Sequence, residues 1–184
     1  NAGVRVLRAQ AAVRAQEALV LARDPGDNRT IHLALDTLGY IAALQGNTKQ
    51  AAASYREGLS LAQEIGDERQ IGWHLIGLAT VAAAEEQPVR ATRLFGAAET
   101  RLDINESMND IERVDYERTV EAVRNKRDHR TFQAAWAEGH TITAGQPLAA
   151  RAPPHHAPPP FRHRSPTTPS HPADLHPRHG VRAP

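Results

Sequence analysis

The 184-residue chain has no cysteine, which excludes a disulfide framework, a Cys-ligated zinc site and a thiol nucleophile. No apolar run approaches the roughly 18 to 20 residues that a membrane helix requires. No charged, apolar and small-residue series marks a signal peptide, so the expected compartment is the cytoplasm. The first residue is Asn1 rather than Met, which leaves open whether the chain is a fragment. Charge of one sign is also lacking: the net charge of +1 argues against the broadly basic surface that displaces counterions from nucleic acid. Aromatics are only 4% of residues, and none interleaves with the short basic run Arg124, Lys126, Arg127 and Arg130. That run reads as a solvated face near a helix C-terminus, where cations are favoured. The Gly-x-x-x-x-Gly-Lys-Ser/Thr phosphate loop is missing, as are the Gly-x-Ser-x-Gly elbow and the His-Glu-x-x-His zinc helix. No catalytic residue, cofactor or metal is expected.

Charge and proline are unevenly distributed. Residues 145–184 hold eleven of the 13 prolines and six of the ten histidines. They carry five Arg against the single acid Asp174, and the preceding residues carry 17 basic and 20 acidic groups. Each proline removes a donor and fixes φ, and few apolar residues remain to offset the entropy of ordering. Residues 144–184 therefore read as a disordered Pro/His/Arg-rich tail. His155, His156, His163, His171, His176 and His179 are irregularly spaced and unassisted by Cys or carboxylate, which does not suit a metal site. Composition leaves two origins open for the tail, a linker or a shifted frame of GC-rich DNA.

What is present is a repeat. An offset of 40 residues pairs Gly26-Asp27 with Gly66-Asp67, Leu19 with Leu59, Ile31 with Ile71, Leu35 with Leu75, Leu38 with Leu78 and Ala51 with Ala91. Each unit reads as two helices. Ile31, Leu35, Leu38 and Ala42 form one apolar stripe, and Gly46-Asn47 ends that helix. Thr48 is placed to cap a second helix to about Ile65, with Ala51, Tyr55, Gly58, Leu59 and Ala62 inward. The next unit repeats this with Ile71, Leu75, Leu78 and Ala82, then Pro88 in a first turn and Ala91, Leu94, Phe95 and Ala98 inward. Small residues at 39, 51, 58, 79, 91 and 98 allow close helix approach, while Tyr55 and Phe95 fill the gaps.

The signature Leu38-Gly39, Ala51, Tyr55, Gly58, then Leu78-Ala79, Ala91, Phe95, Ala98, resembles the tetratricopeptide repeat in a long form. Leu35 and Leu75 stand where that family has an aromatic, and Ala15 stands at the aromatic position of the first partial unit. A narrower resemblance rests on Arg93-Leu94-Phe95-Gly96-Ala97-Ala98-Glu99, Tyr116-Glu117-Arg118 and Phe132-Gln133-Ala134-Ala135-Trp136-Ala137-Glu138-Gly139-His140. These are similar to the end of the repeat array in large ATP-binding transcriptional regulators of the LuxR family and related bacterial signal-transduction ATPases. In that group a nucleotide-binding domain precedes the repeats, and a helix-turn-helix domain often follows a Pro/Ala-rich linker. After Thr143 the sequence departs, with Gly145-Gln146-Pro147 in place of an apolar helix.

The resulting expectation is an all-α, right-handed helical-hairpin solenoid, TPR-like, with a closing helical hairpin and a disordered tail. Residues 1–102 form the repeats, as a partial unit 1–27 and units at about 28–66 and 67–102, and 103–143 form the cap. Ile111, Val114, Tyr116, Val120 and Val123 are read as one buried stripe of the cap, and Phe132, Ala135 and Trp136 as the other. The acids Asp103, Glu106, Asp110 and Glu112 read as a solvated connector rather than an acid–base pair. His74 reads as a partly buried or surface histidine. The leading functional reading is a protein-interaction or effector-sensing module of a regulator, binding a protein or peptide, or other domains of its parent, with no nucleic acid and no membrane. A free-standing scaffold is the alternative, and an enzyme or metal protein the third reading. In resembling proteins the first helices line a concave groove, which points to Asp36, Tyr40, Trp73, Ile76 and Thr80 as partner-binding residues, with Tyr40 exposed and Trp73 either exposed beside it or packed against the neighbouring unit.

Overall fold

A buried alanine recurs every twentieth residue, at Ala22, Ala42, Ala62 and Ala82. Each carbonyl accepts a hydrogen bond from the backbone N–H five residues on, at Asp27, Asn47, Asp67 and Gln87, over 2.9 to 3.0 Å. This is how a helix end is closed by a left-handed residue. That residue is Gly26, Gly46 and Gly66, at φ of 70°, 75° and 71°, and Glu86 at 58° in the fourth joint. The residue after it then starts the next helix. Asp27, Asn47 and Asp67 accept the backbone N–H of Thr30, Gln50 and Gln70, each satisfying one orphan donor. Asn47, not Thr48, is thus the cap, because the glycine joint places the turn one residue earlier. Gln87 makes no such bond, and Pro88 follows it in the first turn.

The computed structural model describes residues 2–24 and 26–142, in which all regular structure is helical. The joints separate α1 (Ala2–Arg23), α2 (Asn28–Leu44), α3 (Thr48–Ile65), α4 (Glu68–Ala84) and α5 (Pro88–Glu99). A short α6 (Ile104–Ser107), then α7 (Asp110–Asn125) and α8 (His129–His140) complete the described part. No helix among the described residues is long and apolar enough to cross a membrane. The chain divides into two units, Asn1–Ala152 and Pro153–Pro184, and the second lies wholly outside the described residues. The expected tail, with its histidines, lies outside them too.

Each helix from α1 to α5 packs against the next, and α8 returns to pack on α5. The expected stripes of α2 to α5 are buried, including every inward residue named from the repeat. Glycine sets the close approaches. The Tyr55 ring of α3 lies between Gly39 of α2 and Gly77 of α4, and a β-carbon at either glycine would strike it. Between α5 and α8, a β-carbon on Gly96 would sit 2.5 Å from the Trp136 carbonyl oxygen, and one on Gly139 would strike the Arg93 carbonyl. Two of the three sequence runs that carry the narrower resemblance, 93–99 and 132–140, are therefore packed backbone to backbone. Arg93 and Glu138 join them at 2.5 Å, and Glu99 accepts from the Trp136 indole at 3.1 Å.

The expected stripe of α7 needs correction. Tyr116, Val120 and Val123 are buried, but Ile111 and Val114 are exposed. At about 100° per residue these two fall on the opposite side of the helix from the buried three. Phe95 meets Tyr116 edge to face with ring centroids 5.3 Å apart, and this contact fixes which side of α7 turns inward.

Candidate functional site

The proposed partner-binding residues fall on α2 and α4, which touch across Tyr55. Asp36 and Tyr40 are one turn apart on α2, and Ile76 and Thr80 occupy the corresponding turn of α4. Tyr40 is 52% exposed, enough for a partner to gain area from it. Asp36 is half-buried and has a raised pKa, about 6. Burial is the main cause, and the field of Glu112 from α7 adds to it. Asp36 and Tyr40 in turn help hold the Tyr55 hydroxyl neutral, behind the larger effect of burial. Tyr55 thus reaches from the core to the face that carries Asp36 and Tyr40.

Of the two readings of Trp73, packing holds: it is half-buried against the central core, as is Ile76. The reason lies in its neighbours: Gly72 and His74 are both buried, so Trp73 stands at the edge of a wide apolar face rather than opposite it. Thr80 is half-buried and donates its hydroxyl to the Ile76 carbonyl at 3.0 Å. The most accessible of these residues is consequently Tyr40, one turn from Asp36 on α2. Glu112 belongs to the same electrostatic neighbourhood, and no repeat register points to it because α7 lies outside the 40-residue pattern.

Chemistry elsewhere is mostly structural. Asp103 caps α6 by accepting from Asn105 and Glu106, and Glu112 completes a reciprocal capping box with Asn109 at the start of α7. Asp110 pairs with Arg113 at 2.5 Å. Arg124 and Lys126 are exposed, as expected, with the Arg124 guanidinium 5.1 Å over the Phe132 ring and Lys126 3.6 Å from Glu86. A cleft of about 430 Å³ opens between α5, α7 and α8, lined by Glu99, Tyr116, Glu117, Glu121 and Trp136 among others. Trp136 is half-buried at its wall, and Glu99 there also lies 3.5 Å from the His140 imidazole.

One polar pair escaped sequence reasoning altogether. His74 is fully buried and meets buried His32 of α2, with ring nitrogens 3.0 Å apart. The two are 42 residues apart, so the 40-residue register aligns His32 with Gly72 and His74 with Ala34 and conceals the contact. The chain matches no family model, no curated protein and no solved structure.

Proposed function

We infer that this chain is a non-catalytic interaction module that binds a protein or peptide segment on the face shared by α2 and α4, within a right-handed TPR-like stack. The observation that carries this reading is the geometry around Tyr55. Glycines at 39 and 77 admit one ring between two first helices, which brings α2 and α4 side by side and leaves Tyr40 outward beside Asp36. A rigid aromatic next to a half-buried carboxylate offers apolar area and one directional contact, the ingredients of an interface hot spot. The chemistry suits a segment presenting a hydrogen-bond donor or cation beside an apolar residue. The close contact of the 93–99 and 132–140 runs through Gly96 and Gly139 supports the further reading that the module comes from a LuxR-type ATP-binding regulator. It gives a packing reason for those two runs to occur together.

The test is selection of a random-peptide library on the full chain, followed by calorimetry of the enriched peptides. Tyr40→Ala and Asp36→Ala should each weaken binding about tenfold, or about 1.4 kcal/mol, with helical content unchanged. Lys49→Ala, an exposed change on α3, should leave affinity intact. Peptides whose affinity follows Lys49 and ignores Tyr40 would move the binding face away from α2 and α4.

A further inference from the structure

The two first helices meet through one buried polar contact. Nδ1 of His32 and Nε2 of His74 are 3.0 Å apart, with the side chains 3% and 0% exposed. Among the described residues, their outer nitrogens, Nε2 of His32 and Nδ1 of His74, have no hydrogen-bond partner. The rings are tilted by 36° with centroids 5.3 Å apart. The pair is tightly walled: the His74 ring occupies the space a β-carbon on Gly58 of α3 would take, and the Tyr55 ring lies 6.4 Å away. Asp67, at the cap of α4, is the carboxylate whose field reaches both rings, and it is already engaged with the Gln70 N–H at 3.0 Å.

Proton counting shows what this arrangement tolerates. Two neutral imidazoles carry two N–H protons. One is shared in the His–His bond, the other sits on an outer nitrogen, and the remaining outer nitrogen keeps a lone pair. A first added proton must go to that lone pair, leaving a buried positive charge and two buried N–H groups without acceptors. A second would set two N–H groups head to head across 3.0 Å. Neither state is stable while α2 and α4 stay in contact and water stays out.

We propose that the His32–His74 pair is an acid-sensitive joint, fastening α2 to α4 at neutral pH and separating them when it is protonated. Burial holds both imidazoles below their ordinary range, His74 down to about 4, with His32 adding to the effect and Asp67 opposing it. The unfolded chain therefore takes up protons first. The joint's contribution is complete above the ordinary histidine pKa of about 6.5 and is lost as pH falls from there toward 4. This does not depend on the peptide-binding reading, since it concerns the stack itself.

The experiment compares the full chain with His32→Gln, His74→Gln and the double variant at pH 7.5 and 5.0. Thermal melting should fall further between these pH values in the wild type than in the double variant. Hydrogen exchange of α2 and α4 amides, corrected for intrinsic rates, should rise at least tenfold more at pH 5.0 in the wild type. Equal losses in wild type and double variant would overturn the proposal. If the variants do not fold, NMR titration of the wild-type imidazoles decides: His74 must remain uncharged at pH 5.5 and His32 must titrate below its ordinary value, and titration of either at the ordinary value refutes the joint.

Discussion

At the scale of single residues, the four joints form a natural comparison series, because three have glycine in the left-handed position and one has Glu86. A side chain there costs roughly 1 kcal/mol relative to glycine. Glu86→Gly should therefore stabilise the chain by about that much in urea denaturation, and the same change at Glu85, where φ is negative, should destabilise it. Gln87→Asp should add up to about 1 kcal/mol more by supplying the cap that Asp27 and Asp67 already provide at equivalent positions. Asp36 makes a prediction with a pH signature. Its folded pKa of about 6 lies above the ordinary 3.8, so the folded chain gains from its proton. That gain is complete below the ordinary value and is lost as pH rises through 6. Asp36→Asn should be neutral near pH 4 and stabilising by roughly 1–2 kcal/mol at pH 7.5, in denaturation curves at both pH values. This trend opposes that of the histidine pair, and comparison of the two sets of variants separates them.

At the scale of helices, small residues decide which elements approach and large ones decide the register. Gly139→Ala should cost several kcal/mol, because the added methyl group strikes the Arg93 backbone, which cannot rotate aside as a side chain can. Loss of the Trp136 fluorescence environment should accompany it, since that indole is held on Glu99 by the same packing. Helices that repeat were readable from the sequence for this reason: Ile31, Leu35 and Leu38 recur as Ile71, Leu75 and Leu78 with every position buried. The end of the described part was harder to read. Hydrophobicity alone placed Ile111 and Val114 inside, whereas the edge contact of Tyr116 on Phe95 turns α7 so that both face out. Trp73 has two readings in the sequence, outward or packed on its neighbour, and the second holds because α4 buries nearly its whole circumference, including Gly72, His74 and Gly77. The histidine pair was illegible because the contact joins residues that the repeat does not align.

At the scale of the whole described stack, two clusters of buried side chains share the load. One joins α1 and α2 through Leu19, Ile31 and Leu35, and a larger one runs from Ala42 to Phe132. Leu78 lies in the larger cluster, and Leu78→Asp should destabilise the chain by about 4 kcal/mol or more in thermal melts, through an unpaired buried charge. α1 buries less and exposes Val6, Leu7, Val13, Val20 and Leu21, so its amides should exchange before those of α4 and α5. The central claim is that the face carried by α2 and α4 is where a partner binds. Hydrogen exchange of the full chain, with and without a library-selected peptide, tests it most directly. Protection should appear on α2 and α4, strongest around Tyr40 and Thr80, with a smaller effect at the start of α7 near Glu112. Protection confined to the exposed sides of α3 and α5, with α2 and α4 unchanged, would contradict it.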